Sequence, residues 1–392
     1  MQSNLYDAAM TMRNDAVRKV LIYRLGSLGD MLIALPALRL VERAFPNAHR
    51  RMLTNFPVNS KAPSAEAILG ESGLVRDYQS YPVGVRNWKT LMDLRAQIRA
   101  WVPDVLVYLT IGRGRGVAWR DAAFFRMCGI RRMIGVPYSK RLQQNLWLED
   151  CGVLEPEAGR LARCVAELGD ARLDDPQSWD LGLTGEEQQA AEAILGAAKG
   201  RPIIAASVGT KVQAKDWGAA NWKELMGRMG ALYPGHALML IGAVEERTLS
   251  EEVGRRWTEG STLAGPVVNL CGELTPRQSA AAMAHARIFV GHDSGPMHLA
   301  ASVQTPCVAI FAARNKPAVW FPYGRQHQVV YHRTDCWGCD LETCIEQRKK
   351  CLTSVSVEEV LERVTKVFPP PLAILADGGS VESAGAVLRE DS

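Results

Sequence analysis

The sequence predicts an α/β fold of two halves, each built on a parallel sheet with helices between the strands. Three observations predict it. Short apolar runs of strand length alternate with helix-patterned stretches from Val17 to Phe311. Each half carries a glycine turn between a strand and a helix: Leu25-Gly26-Ser27-Leu28-Gly29-Asp30 early, and Gly291-His292-Asp293-Ser294-Gly295-Pro296 late. Between the halves, about 169–185, the periodicity breaks at Asp174, Asp175, Pro176, Gly182 and Gly185.

The elements follow in order. Val17 to Arg24 is an apolar strand centred on Val20-Leu21-Ile22-Tyr23. Asp30 opens a helix whose Leu32, Leu35, Leu38 and Val41 share one face, and Pro36 should kink or shorten it. Arg51 to Thr54 is the next strand, which makes a βαβ unit and therefore a parallel sheet. Asp104–Leu109 and Arg131–Val136 are further strands of this half. A helix is expected over Glu186 to Lys199. Ile203–Ala206, His236–Ile241, Ile288–Val290 and Val308–Phe311 are then strands of the second half, with a helix from Asn221 to Leu232. The expected domains are 17–175 and 176–368. Pro369-Pro370-Pro371 should end the ordered part, leaving 369–392 as a flexible tail.

Composition excludes several classes of function. The 392 residues suffice for two domains, and 47% hydrophobic with 22% charged residues is a globular balance. A net charge of +4 does not argue for nucleic acid as a partner. No apolar run approaches the roughly 18 residues of a spanning helix, and Met1 to Lys19 holds no signal-peptide core. The expectation is a cytoplasmic protein, at most peripheral to the inner face of the inner membrane. Basic residues crowd 113–141, among them Arg113, Arg115, Arg131 and Arg132. Such a cluster is either a solvated face or a surface for an anionic acceptor.

The two turns carry the chemistry. A strand-to-helix junction exposes backbone N–H groups and the positive end of the helix dipole, which suits an anion. At the first turn the glycine spacing is not the dinucleotide fingerprint. Asp30 either caps its helix or stands at the carboxyl end of a strand as a general base. At the second, Asp293, Ser294 and Gly295 open a helix that includes His298, either a core histidine or a group beside a phosphate. Thr210 and Lys215 follow the strand at 203–206 and suit phosphate oxygens, or form a solvated loop. Glu245 sits where an acid accepts from a ribose, or favours a helix first turn. Cys336, Cys339, Cys344 and Cys351 have metal-ligand spacing, with His332 just before them. Structural zinc, an iron–sulfur cluster and unligated thiols all remain open.

With these residues in view the chain resembles glycosyltransferase family 9, which includes the ADP-heptose:lipopolysaccharide heptosyltransferases. The resemblance lies in Val20 to Asp30 followed by Leu35-Pro36-Ala37-Leu38, in Val290 to Ala301 followed by Pro306, and more weakly in Lys215-Asp216-Trp217 with Trp222. It implies a GT-B architecture, two Rossmann-like domains facing across a cleft. It implies an inverting transfer from a nucleotide sugar, ADP-heptose or similar, to a lipopolysaccharide-core or related saccharide, with no cofactor required for catalysis. Asp30 would be the base. Lys215, Ser294, Gly295 and His298 would hold the diphosphate. Asp293 is read as an organiser of its turn, bonded to backbone N–H groups. The acceptor would be an anionic lipid-linked saccharide drawn in by Arg113, Arg115, Arg131 and Arg132. Two other readings are a nucleotide-sugar epimerase of the same shape and a non-catalytic nucleotide-sugar-binding protein.

Overall fold

The computed structural model describes residues 14–56, 62–82, 84 and 87–371. Most of the tail expected at 369–392 lies outside the described residues. The first half is a five-stranded sheet of β1 (Lys19–Tyr23), β2 (His49–Asn55), β3 (Asp77–Tyr81), β4 (Val105–Tyr108) and β5 (Arg132–Ile134). A short antiparallel ribbon, β6 (Trp147–Leu148) with β7 (Val153–Leu154), follows it. The second half is a six-stranded sheet of β8 (Ile203–Ser207), β9 (Ala237–Leu240), β10 (Val267–Asn269), β11 (Ala286–His292), β12 (Cys307–Phe311) and β13 (Gln328–Tyr331).

Every pairing in both sheets is parallel. The orders are β3-β2-β1-β4-β5 and β10-β9-β8-β11-β12-β13. In each, the chain starts centrally, winds to one edge, then returns to the other side of its first strand. A crevice opens where the order reverses, outside the carboxyl ends of the strands. These reversal points lie between β1 and β4, and between β8 and β11. The first turn follows β1 and the second follows β11. This is the expected pair of Rossmann-like halves.

The helices follow from local chemistry. The helix expected from Asp30 is two: α1 (Leu28–Ile33) and α2 (Leu35–Ala44). Pro36 is the second residue of α2, where no intrahelical N–H is needed, so it starts a helix rather than kinking one. Leu32, Leu35, Leu38 and Val41 are all buried, as their spacing requires. Further helices of this half escape a pattern reading: α3 (Ala65–Leu69), α4 (Trp88–Trp101), α5 (Arg115–Met127) and α6 (Glu157–Cys164), with a single turn at Lys140–Gln143. The next, α7 (Gly185–Ile194), is opened by a Thr184–Glu187 capping box and stops short of the expected Lys199. Gly196, at φ +52°, turns the chain out of the helix. The second half adds α8 (Ala219–Leu232), α9 (Arg247–Gly260), α10 (Pro276–Met283), α11 (Gly295–Ser302) and α12 (Val357–Val367).

The halves are joined by packing as well as by the chain between them. One apolar cluster runs from Val20 and Leu32 through Leu181 to Met297 and Phe311. Arg277 of α10 pins the junction. Its guanidinium is paired with Glu187 of α7 at 2.5 Å and also donates to the carbonyl of Gly182 at 2.8 Å. Longer contacts reach the carbonyls of Ile68 in α3 and of Leu181.

Candidate active site

The first turn is held from below by a buried arginine. Arg24 follows β1 directly and is fully buried. It donates to the main-chain carbonyls of Asp30 and Leu109. Burial pulls this guanidinium below its ordinary range, and the neighbouring Asp30 charge opposes the shift. Gly26 has φ +122°, and a Cβ there would overlap the Asp30 carboxylate. Its N–H donates to Asn55 Oδ1 at 3.1 Å. One oxygen of Asp30, Oδ2, accepts from the Ser27 N–H at 2.8 Å and the Ser27 hydroxyl at 3.2 Å. The other, Oδ1, stands 3.8 Å from Arg24 Nη2. The side chain keeps 20% of its surface exposed. Asp30 thus caps α1 with one oxygen and offers the other.

The second turn is built differently. His292, the last residue of β11, is fully buried. Its Nε2 accepts from the Trp217 N–H at 3.0 Å and from Trp222 Nε1 at 3.3 Å, so Nδ1 carries the proton and donates to the Gly209 carbonyl at 3.3 Å. Burial pushes this imidazole down to about 4. It ties the end of β11 to the segment that bears Lys215. Lys215 Nζ pairs with Asp293 Oδ2 at 2.8 Å and donates to the Asp293 carbonyl at 3.1 Å. Asn315 Nδ2 also donates to Asp293 Oδ2, at 2.7 Å. Asp293 therefore organises its turn through a lysine and an amide side chain, where backbone N–H partners were expected. Ser294 is the N-cap residue of α11, its hydroxyl donating to the His292 carbonyl at 3.3 Å.

The two turns meet. A Cβ on Gly29 would lie 2.9 Å from His298 Cδ2, and one on Gly295 would overlap the tip of Leu28. The structure therefore brings Asp30, Lys215, Asp293, Ser294, Gly295 and His298 to one junction. His298 is buried, and burial lowers its pKa. Thr210 lies on the loop after β8, where its hydroxyl accepts from the Val212 N–H at 3.3 Å. Glu245 is exposed. Its neighbour Glu246 points inward instead: a Cβ on Gly209 or Gly242 would overlap its side chain, and Oε2 accepts from the Ala243 N–H at 2.9 Å.

The arginines divide. Arg113 and Arg115 lie beyond the carboxyl end of β4, on the cleft side of the first sheet. Arg113 donates to Asp121 at 2.6 Å and to the Tyr108 hydroxyl at 3.0 Å. Arg131 and Arg132 lie at the amino end of β5, the opposite edge, where Arg132 donates to Asn14 Oδ1 at 2.9 Å. Pattern reading missed Arg24, His292, Asn315 and Glu246. Arg24 alone left a signal, a charged residue directly after a fully apolar strand.

Cys336, Cys339, Cys344 and Cys351 line one small cavity of about 10 Å³. A four-thiol set suits a structural ion. Among the described residues, no group of three or more potential ligands stands close enough to hold one. His332 is engaged by Ser354 at 2.8 Å and Glu359 at 2.9 Å, away from the thiols. The loop itself braces the donor side of the junction. The Cys344 N–H donates to Gln213 Oε1 at 2.9 Å, the Ala214 N–H to the Glu342 carbonyl at 3.0 Å, and Lys349 Nζ to the Asp216 carbonyl at 2.8 Å.

Comparison with known proteins gives a consistent picture. The family profile described as glycosyltransferase family 9 (heptosyltransferase) matches residues 117–350. Lipopolysaccharide heptosyltransferase 3 of Escherichia coli K12 is 22% identical over 354 residues, 87% of this chain and 95% of that protein. A lipooligosaccharide heptosyltransferase 2 of Campylobacter jejuni is 26% identical over 174 residues; the match spans 44% of this chain and about half, 53%, of that protein. Among solved structures, E. coli ADP-heptose lps heptosyltransferase II superposes with a TM-score of 0.62 at 19% identity, covering 89% of this chain and 98% of that one. That likeness is one of fold, and the fold is GT-B.

Proposed function

Since the chain belongs to glycosyltransferase family 9, we propose that it moves heptose from ADP-heptose to a saccharide of the lipopolysaccharide core, with inversion at the anomeric carbon. The observation that carries this reading is the meeting of the two turns, a half-free carboxylate against a lysine and a helix amino end. Asp30 Oδ1 takes the proton of the acceptor hydroxyl as that oxygen attacks the anomeric carbon. The bond from that carbon to the diphosphate oxygen breaks, and ADP leaves with the electron pair. Lys215 and the N–H groups at the start of α11 stabilise the charge that develops on the departing phosphate. One base on the face opposite the leaving group suffices for inversion. An epimerase would need acid–base groups from both halves, and Asp293, the carboxylate of the second half, is engaged by Lys215 and Asn315.

Two finer parts belong to the same proposal. Cys336, Cys339, Cys344 and Cys351, which do not stand close enough to share an ion, are read as free thiols on the loop bracing the Lys215 segment, with no part in the transfer step. Elemental analysis of the purified chain, before and after Cys336→Ser, tests this. The acceptor is lipid-linked and anionic, reached by a cytoplasmic enzyme at the inner face of the membrane, with Arg113 and Arg115 on its path.

The central test is thermal shift with ADP-, UDP-, GDP- and dTDP-sugars, followed by transfer to a heptose-accepting core saccharide. ADP-heptose should give the largest rise in Tm, because binding to the native state stabilises by mass action. Transfer should release ADP in step with product. A larger shift with another donor, or ADP release without an acceptor-linked product, would sink the assignment.

A further inference from the structure

A cavity that the site does not use lies in the first half. Helices α4 and α5 cover the outer face of the first sheet, and Arg95 Nε bridges them by donating to the Met127 carbonyl at 3.0 Å. Between them the described residues leave a groove of about 660 Å³. That is within the roughly 300–1,000 Å³ of small-molecule sites.

The groove is apolar along its length and polar at one end. Leu91 and Met92 of α4 form one wall, and Ala123 and Phe124 of α5 the other. The rings of Tyr23 and Tyr81 floor it, their hydroxyls 2.8 Å apart. At its polar end Arg113 is paired with Asp121 at 2.6 Å. Arg113 Nε is buried with no partner among the described residues, a costly state that an acceptor oxygen would relieve. The rim is aromatic and basic. Trp88, 70% exposed, and Arg120, also exposed, line it. Outside the lining, Lys89, Arg115, Trp119 and Arg126 are exposed on the same two helices.

An apolar slot ringed by tryptophan and arginine matches a molecule with a hydrocarbon body and an anionic head. Exposed Trp, Tyr and basic side chains are the residue types that sit at a lipid–water boundary. Arginines at the rim complement acidic headgroups. We propose that the α4–α5 groove binds one acyl chain of an anionic lipid, with its acidic headgroup against the arginines of the rim. Its polar end is formed by residues at the carboxyl edge of the sheet, the edge that also carries Asp30. This deepens the proposed function and rests on it for one point, that the acceptor is lipid-linked; the binding itself needs no transfer.

The test uses the full chain and 1-myristoyl-lysophosphatidylglycerol below its micelle concentration, followed by calorimetry. One chain should bind per protein. Glycerophosphoglycerol, the same head without the chain, should bind about 100-fold more weakly or worse, because each buried methylene contributes. Ala123→Phe fills the slot, and Met92→Gln makes it polar at nearly constant volume. Each should weaken lysolipid binding about tenfold or more while ADP affinity and Tm stay near the wild-type values. Transfer to a deacylated acceptor should be unchanged in both. Wild-type lysolipid affinity in both variants would overturn the groove assignment, as would a head group that binds as tightly as the lysolipid. So would competition by an apolar peptide with no competition by lipid, which would make the occupant a protein segment. Lysolipid binding that persists in a chain devoid of transfer would instead count against the proposed activity and leave the groove standing.

Discussion

Asp30 and Asp293 occupy corresponding places in the two halves. Each follows a central strand, in a turn that carries glycines, at the start of a helix. Their surroundings are opposed. Asp30 gives one oxygen to Ser27 and leaves the other beside a buried guanidinium at 3.8 Å, with 20% of the side chain exposed. Asp293 is 6% exposed and bound by Lys215 and Asn315 within 2.8 Å. The same residue type in the same kind of turn thus serves two ends. A carboxylate left half-free can take a proton, whereas one neutralised by a lysine aims that lysine. The difference lies in the partners rather than in the turn.

The largest expected contrast is between the two amide variants. Asp30→Asn should lower kcat by about 100-fold or more while ADP affinity holds, as loss of a general base does. Asp293→Asn should keep turnover within about tenfold and act mainly on donor KM, since it loosens a binding group. Equal losses of kcat in both would break the comparison. A helpful companion is Gly26→Ala, whose new methyl must displace the Asp30 carboxylate; its kcat should follow that of Asp30→Asn.

Acid should distinguish the turns next. His292, beside Asp293, is held down at about 4 against an ordinary 6.5. The unfolded chain therefore takes the proton first as pH falls. The contribution is fully present above about pH 6.5 and is lost between 6.5 and 4, by at most about 3 kcal/mol. Urea midpoints across that range should fall for the wild type and flatten for His292→Gln. A wild-type profile as flat as the variant's would place the acid sensitivity elsewhere.

On the donor side, Lys215→Ala should weaken ADP binding by about 1.5–3 kcal/mol, the range of a hydrogen bond to a charged group. Calorimetry showing unchanged affinity would remove Lys215 from the diphosphate. The smallest effect concerns the arginines. Arg115→Ala should reduce acceptor affinity about two- to fivefold and lessen its salt dependence, while Arg131→Ala, at the far edge of the sheet, should do neither. Equal effects would mean that the basic surface acts as a whole rather than at the cleft.

Sequence patterns carried the inner strands of both sheets and both turns, because those signals are local, but not the edge strands β3, β10 and β13. A strand ending in a glycine turn before a helix is legible within a dozen residues. Asn315 was not legible as a partner of Asp293, because 22 residues and a strand separate them. His292 lies inside the quoted motif, yet its partners at Gly209, Trp217 and Trp222 are 70 to 83 residues away. The direction of Glu246 rather than Glu245 depends on a single tight turn at Val244–Glu246. Helices α4 and α5 were missed because their outward faces keep exposed tryptophan and methionine, which blurs the apolar stripe.

Arg277 sets the mechanics of the molecule. A guanidinium with partners on α3, on the connecting chain and on α7 cannot be pulled from them cheaply, because an unpaired buried charge costs roughly 3–5 kcal/mol. The two halves are therefore not free to drift apart in every direction. Parting them at the edge where Arg277 sits would strip it of its partners on both sides of the junction.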